Sequence, residues 1–235
     1  MSAGRIVELT PMRKAIARRM SESQSNVPHF YVATEISTSA IELHLERVSA
    51  ESGVRVSMTA ALVGACAVAL EEMPSFNSIW TDEGLLLADE INVGVAVALE
   101  GGLVAPAVLG CRGLGLSALS ERVADLVDRT RAQKLRAAEL TDATFTLSNL
   151  GMYDVVSFSA LVTPPQVGIL AVGRSVLRAI AGADGTVTTG RVLVATLSAD
   201  HRAVDGADAA RFLGFLKNAI EQPEALSHND AEEPS

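Results

Sequence analysis

Residues 192–206 read VLVATLSADHRAVDG. Val192 to Leu197 is an apolar run rich in β-branched side chains, which predicts a buried strand. His201 follows four residues later, and an amphipathic pattern from about Asp208 to Ile220 predicts a helix beyond it. A histidine at the end of a buried strand is held on a rigid element, as a general base requires. An ordinary histidine pKa of about 6.5 lets it take up and return a proton near neutral pH. Asp205 comes four residues after His201 and precedes Gly206, a spacing that suits a carboxylate fixing the turn, for example by pairing with an arginine. The plainer alternative is a core histidine followed by a helix-capping aspartate.

The flanking chain alternates between helical and extended patterns. Thr10-Pro11 predicts a helix start, with a cap and then proline in the first turn, running to about Ser25. HFYVATEIS at 29–37 predicts a strand, and 39–51 a helix with Ile41, Leu45 and Val48 on one face. Val56 to Leu70 carries no charge and predicts a buried helix from Thr59 that stops before Pro74. From Leu85 to Leu109 the pattern is extended, and Glu100-Gly101-Gly102 predicts a tight reversal between paired strands. Leu116 to Lys134 reads as an amphipathic helix with Leu119, Val123, Leu126 and Val127 inward. ATFTLSN at 143–149 and Val167 to Val172 read as further strands. Together they predict a two-layer α/β domain, a large mixed sheet flanked by helices. The expected division is one domain over 1–226 and a disordered acidic tail over 227–235.

Composition excludes several function classes. In 235 residues, 49% are hydrophobic and 20% charged, enough apolar material for a substantial core. A net charge of -9 disfavours nucleic acid as a partner, because basic residues cluster only in the first helix. Cys66 and Cys111 stand alone and offer neither a disulfide framework nor a metal site, which fits a cytoplasmic protein. No run is long enough to span a bilayer, so no membrane partner is expected. The basic stretch Met12 to Met20 reads as a surface helix, with Arg13, Lys14, Arg18 and Arg19 solvated. His29, His44 and His228 lack zinc-ligand spacing, and no metal is expected.

The ADHRAVDG segment at 199–206 resembles the H-x-x-x-D-G signature of the chloramphenicol acetyltransferase-like superfamily. It is more similar still to the DHRxxDG form of the 2-oxo acid dehydrogenase dihydrolipoamide acyltransferases. PMRKAIARRMSESQSNVPHFYVATEI at 11–36, INVGVAV at 91–97, GGLVAPAV at 101–108, FTLSNLGMY at 145–153 and TPPQVGILAVG at 163–173 extend the resemblance over almost the whole chain. It implies a coenzyme A-dependent acyltransferase in which His201 deprotonates the acceptor, which then attacks the acyl-CoA thioester directly. It further implies that the Ser148 hydroxyl donates to the oxyanion of the tetrahedral intermediate and that Asp205 holds the histidine loop. The implied assembly is a homotrimer with active sites between subunits, acetyl-CoA being a co-substrate and no cofactor being bound permanently.

Some residues depart from the pattern. Thr163 stands where many relatives have asparagine, and Glu100 replaces a more usual polar or basic residue. No lipoyl or subunit-binding segment precedes residue 11, and the last residues are polar rather than apolar. These departures favour a freestanding trimer that acetylates a hydroxyl of a small, tetronate-like molecule, as in antibiotic biosynthesis. The alternative is the catalytic core of a dihydrolipoamide acyltransferase, and a non-catalytic scaffold of the same fold ranks third.

Overall fold

The computed structural model describes residues 4–182 and 184–226. The expected tail over 227–235 lies outside the described residues. In chain order the elements are α1 (Pro11–Asn26), β1 (His29–Ser37), α2 (Ser39–Ser52), α3 (Met58–Glu72), β2 (Ser78–Thr81), β3 (Gly84–Leu87), β4 (Val93–Val95), β5 (Val97–Leu99), β6 (Gly102–Val104), β7 (Ala107–Val108), α4 (Leu116–Arg131), α5 (Ala137–Thr141), β8 (Phe145–Asn149), β9 (Gly168–Val172), β10 (Val176–Ala181), β11 (Val187–Asp200) and α6 (Gly206–Glu221).

The main sheet has the order β1-β11-β9-β8-β4-β7, and β10 pairs with the first part of β11. β8 runs parallel to both β9 and β4, whereas the other pairings are antiparallel, so the sheet is mixed as expected. Side chains alternate across a strand. Phe145, Leu147, Leu170, Val172, Leu193, Ala195 and Leu197 enter the large core on one face. Thr146, Ser148, Ala171, Thr196, Ser198 and Asp200 therefore share the other with Ile169, a face that is mostly small and polar and is also buried.

The helical layer follows from the sequence pattern. α3 has no charged residue before its last two positions and is buried from Ala60 to Leu70 except at the partly buried Val68. Its first turn is capped by Ser57, whose Oγ accepts from the Ala60 N–H at 3.2 Å. α6 lays Phe212 against Phe76 and Phe145, with ring centroids 4.7 and 5.4 Å apart. α1 is different: only Ser23 is buried, and its Oγ donates to the Val162 carbonyl at 2.6 Å.

Three features differ from the sequence expectation. The β2–β3 hairpin, β10 and the single-turn α5 were not expected, since each is short or half exposed and carries little periodicity. β11 begins at Val187 rather than Val192, because Val187 to Arg191 pair with β10. The two strands expected over 91–109 are four. Pro106 has no N–H to donate, its carbonyl accepts from Val95 N at 2.9 Å, and β5 and β6 form a separate ribbon. Among the described residues no helix is long and apolar enough to cross a membrane.

Candidate active site

His201 is the first residue beyond β11. Its N–H donates to the Pro28 carbonyl at 3.0 Å, and its ring packs on Phe30 with centroids 4.5 Å apart. The backbone pairing of His29 with Asp200 brings these neighbours together. The side chain is exposed, and among the described residues neither ring nitrogen is engaged in a hydrogen bond. An imidazole held on one side by an aromatic ring and open on the other can meet a substrate thiol or hydroxyl.

Asp205 is the N-cap of α6 and does not bind an arginine. Its Oδ1 accepts from Ala207 N at 2.8 Å and Asp208 N at 2.9 Å, while Asp208 returns a bond to the Asp205 N–H. The Asp208 and Ala207 N–H donors hold its carboxyl below the ordinary aspartate range. The carboxylate that does bind an arginine is Asp200, which sequence reasoning missed. It is buried, and Arg202 meets it through Nε at 2.9 Å, Nη2 at 2.6 Å and its own backbone N–H at 3.0 Å. The signal was present in the tripeptide Asp200-His201-Arg202: a carboxylate at the end of a buried strand needs a cation, and Arg202 is the nearest in sequence.

Ser148 sits near the C-terminal end of β8, 8% exposed, on the small polar face of the sheet. It pairs across the sheet with Ala171, and Ala171 with Thr196 of β11. His201 lies five residues beyond Thr196, and β11 runs antiparallel to β9. With about 3.4 Å per residue and about 4.8 Å per strand, Ser148 and His201 of one chain are about 19 Å apart. A single chain therefore brings together His201, Asp200, Arg202 and Asp205, but not Ser148.

The other candidates have structural partners. Val162 N donates to His29 Nε2 at 3.0 Å, so Nδ1 carries the proton and donates to the Val27 carbonyl at 2.8 Å. That histidine braces the 160–163 segment against the start of β1. Arg19 reaches the Pro164 carbonyl at 3.1 Å, and the exposed Lys14 and Arg18 pair with Glu8 and Glu22. Glu100 is exposed in the reversal between β5 and β6. Among the described residues no group of three or more His, Cys, Asp or Glu side chains could hold a metal ion.

The chain was compared with known proteins. Residues 2–228 match the family model described as 2-oxoacid dehydrogenases acyltransferase (catalytic domain). The dihydrolipoyllysine-residue acetyltransferase component of the pyruvate dehydrogenase complex of Rickettsia felis is 38% identical over 223 residues, covering 93% of this chain and 54% of that protein. The chain thus spans about half the length of the curated relatives it matches. The solved dihydrolipoamide acetyltransferase of Azotobacter vinelandii superimposes with a TM-score of 0.88 at 28% identity, covering 95% of this chain and 94% of that one. A serine, a histidine and an asparagine have been investigated for roles in its catalytic mechanism, and that asparagine follows its histidine at the spacing by which Asp205 follows His201. Chloramphenicol acetyltransferase shares the fold alone, with a TM-score of 0.57 at 13% identity over 92% of this chain and 99% of that one. A match of this extent, over the whole of a mixed sheet with a histidine turn at its edge, establishes that the chain belongs to the family of 2-oxoacid dehydrogenase acyltransferase catalytic domains.

Proposed function

We propose that this domain transfers an acetyl group between coenzyme A and a dihydrolipoyl thiol, as the catalytic core of a dihydrolipoyllysine acetyltransferase. The observation that carries this reading is the family match across residues 2–228, together with relatives named for that activity. Those relatives reverse the order of acceptors expected from the sequence, putting the dihydrolipoyl thiol ahead of a small-molecule hydroxyl. None of them points to antibiotic biosynthesis. Residues 1–226 act as one catalytic unit, which the continuous apolar core from Ile36 to Leu226 supports.

The residues would divide the work as follows. The neutral His201 imidazole takes the proton of the acceptor thiol, and the thiolate attacks the carbonyl carbon of acetyl-CoA. The carbonyl oxygen becomes an oxyanion, to which the Ser148 hydroxyl of a neighbouring subunit donates a hydrogen bond. The intermediate collapses, the C–S bond to coenzyme A breaks, and the imidazolium returns its proton to the coenzyme A thiolate. The overall step exchanges one thiol for another, conserves charge and is reversible. Asp205 keeps α6 capped and the turn in place without relaying a proton. The roughly 19 Å between Ser148 and His201 in one chain supports a site shared between subunits, and the family resemblance makes that assembly a homotrimer.

The test is to incubate the protein with acetyl-CoA and dihydrolipoamide and to follow coenzyme A and S-acetyldihydrolipoamide by chromatography. A panel of primary alcohols and the His201→Ala variant serve as controls. Turnover of dihydrolipoamide that is lost in the variant supports the reading. Turnover confined to an alcohol restores the small-molecule acceptor, and undiminished turnover by the variant overturns His201 as the base.

A further inference from the structure

Trp80 is the only tryptophan in the chain and lies in β2, an element without a part in the chemistry described above. The Arg202 guanidinium carbon sits 4.8 Å from the centroid of its ring. The same guanidinium is forked onto the buried Asp200, and His201 lies between those two residues in the chain. The stack is anchored from both sides. Ile79 forms an antiparallel bridge with Gln166, while the Val167 carbonyl next to it accepts from Asp200 N at 2.9 Å. The hairpin that presents the indole and the strand end that presents the carboxylate are thus tied to consecutive residues of one segment.

We propose that Trp80 is a positioning residue for the candidate base, its indole face holding Arg202 against Asp200 and so fixing the turn that carries His201. The inference rests on the reading of His201 as general base.

Electrostatics gives the direction of the effect. Asp205 acts on the imidazole directly, Asp200 and Arg202 flank His201 in the chain as an ion pair, and Asp82 of the β2–β3 turn adds a negative charge near the guanidinium. Paired with Arg202, Asp200 presents little net charge to the ring. Once the guanidinium is loosened, an unpaired carboxylate next to His201 favours the imidazolium and removes the base form. Contacts between an arginine and an indole face at partly exposed sites are modest in strength, so loosening is partial.

The experiment compares the wild type with Trp80→Ala, Trp80→Leu and Trp80→Phe. The titration of the His201 ring is followed by NMR, its resonance identified by its loss in His201→Ala. The expected result for Trp80→Ala is a midpoint raised by about half a pH unit, with kcat at neutral pH lowered about two- to fivefold and KM for acetyl-CoA unchanged. Trp80→Phe keeps an aromatic face and recovers most of both effects, whereas Trp80→Leu, which keeps bulk without that face, does not. A wild-type midpoint in Trp80→Ala, or equal behaviour of the Leu and Phe variants, overturns the proposal. If Trp80→Ala fails to fold, the Leu and Phe comparison decides alone. Because the titration is read without turnover, retention of activity in His201→Ala would sink the general-base reading separately.

Discussion

Ser148 and His201 lie at opposite ends of one sheet, two strands and five register positions apart. β8 and β9 run parallel and carry Ser148 toward their C-terminal ends, whereas β11 runs the other way and delivers His201 beyond its own. No side-chain rotation closes a gap of about 19 Å within a chain. Mixed assemblies of Ser148→Ala and His201→Ala chains should therefore regain activity. If each site takes its serine from one subunit and its histidine from the next, random mixing of equal amounts restores about a quarter of the sites in a closed ring. The check is acetyl transfer after co-expression of the two variants. No recovery would mean that Ser148 and His201 do not act together in a site shared between subunits.

Ser148→Ala by itself should lower kcat by a factor of about 10² to 10³ while leaving KM for acetyl-CoA near the wild-type value. An oxyanion donor acts in the transition state and not in ground-state binding. The hydroxyl is small, so unfolding free energy should change by no more than about 1 kcal/mol. Rate measurements paired with a urea melt test both parts. An equal loss of stability and activity would make Ser148 a packing residue.

Much of this arrangement was legible in the sequence, because burial and backbone geometry left marks there. β1 over His29–Ser37 and the start of α1 at Thr10-Pro11 match the expected positions, the first from its β-rich alternation and the second from its cap and proline. The uncharged run ending at Leu70 is the buried α3. The β10–β11 ribbon was hidden because its side chains are mostly exposed, leaving Leu177 and Val187 as apolar in sequence as any core residue. At the site, His201 was singled out by its place after a buried strand together with the H-x-x-x-D-G resemblance. The pairing of Asp200 with Arg202 was legible in their adjacency but overlooked, whereas the stacking of Trp80 on Arg202 was not legible, since it brings together residues over a hundred positions apart. Asp205 read either as a turn carboxylate that could pair with an arginine or, more plainly, as a helix cap, and the path of α6 decides for the cap.

The clamp between Arg129 and Glu139 should make stability depend on pH. Glu139 is buried, accepts from Arg129 Nη1 at 2.6 Å and Nη2 at 2.7 Å, and accepts from the Arg136 N–H at 2.7 Å. The Arg129 hydrogen bonds hold its carboxyl below the ordinary glutamate value despite burial. A carboxyl that is more acidic folded than unfolded stabilises the fold above its unfolded pKa of about 4.3, and that contribution disappears as pH falls through the folded value. Glu139→Gln should cost about 3 kcal/mol at pH 7, and the gap to the wild type should start to narrow below about pH 4.3 and close only once pH falls below the lowered folded value. Urea melts at neutral and acid pH test this. A constant gap would show that the charge does not matter.

Both cysteines should be silent toward thiol reagents in the native protein. Burial pushes the Cys66 thiol strongly upward and raises Cys111 to about 11, while Cys111 Sγ also donates to the Val108 carbonyl at 3.1 Å. The thiolate is the reactive form, and neither side chain is exposed. A disulfide reagent should label neither within minutes at pH 8, and both in denaturant. Rapid native labelling would mean that the α3–α4 region opens readily.

Gly173 is the position where a single methyl group should do most damage. A Cβ there would lie 1.9 Å from the Val156 carbonyl oxygen and 2.5 Å from its carbon, both backbone atoms that cannot rotate away. The segment it would displace is tied to the sheet by Leu150 N to the Val172 carbonyl at 2.9 Å and Arg174 N to the Val155 carbonyl at 2.7 Å. Leu150 lies two residues after Ser148, so the same displacement should disturb the serine. Gly102 is the control, because a Cβ there meets Met12 Sδ at 2.7 Å and Ile16 Cδ1 at 2.9 Å, both ends of flexible side chains. Gly173→Ala should cost about 3 kcal/mol or more and abolish acyl transfer, while Gly102→Ala should cost about 1 kcal/mol or less. Thermal melts of the two variants make the comparison, and similar melts would mean that the 155–156 backbone does not rest on Gly173.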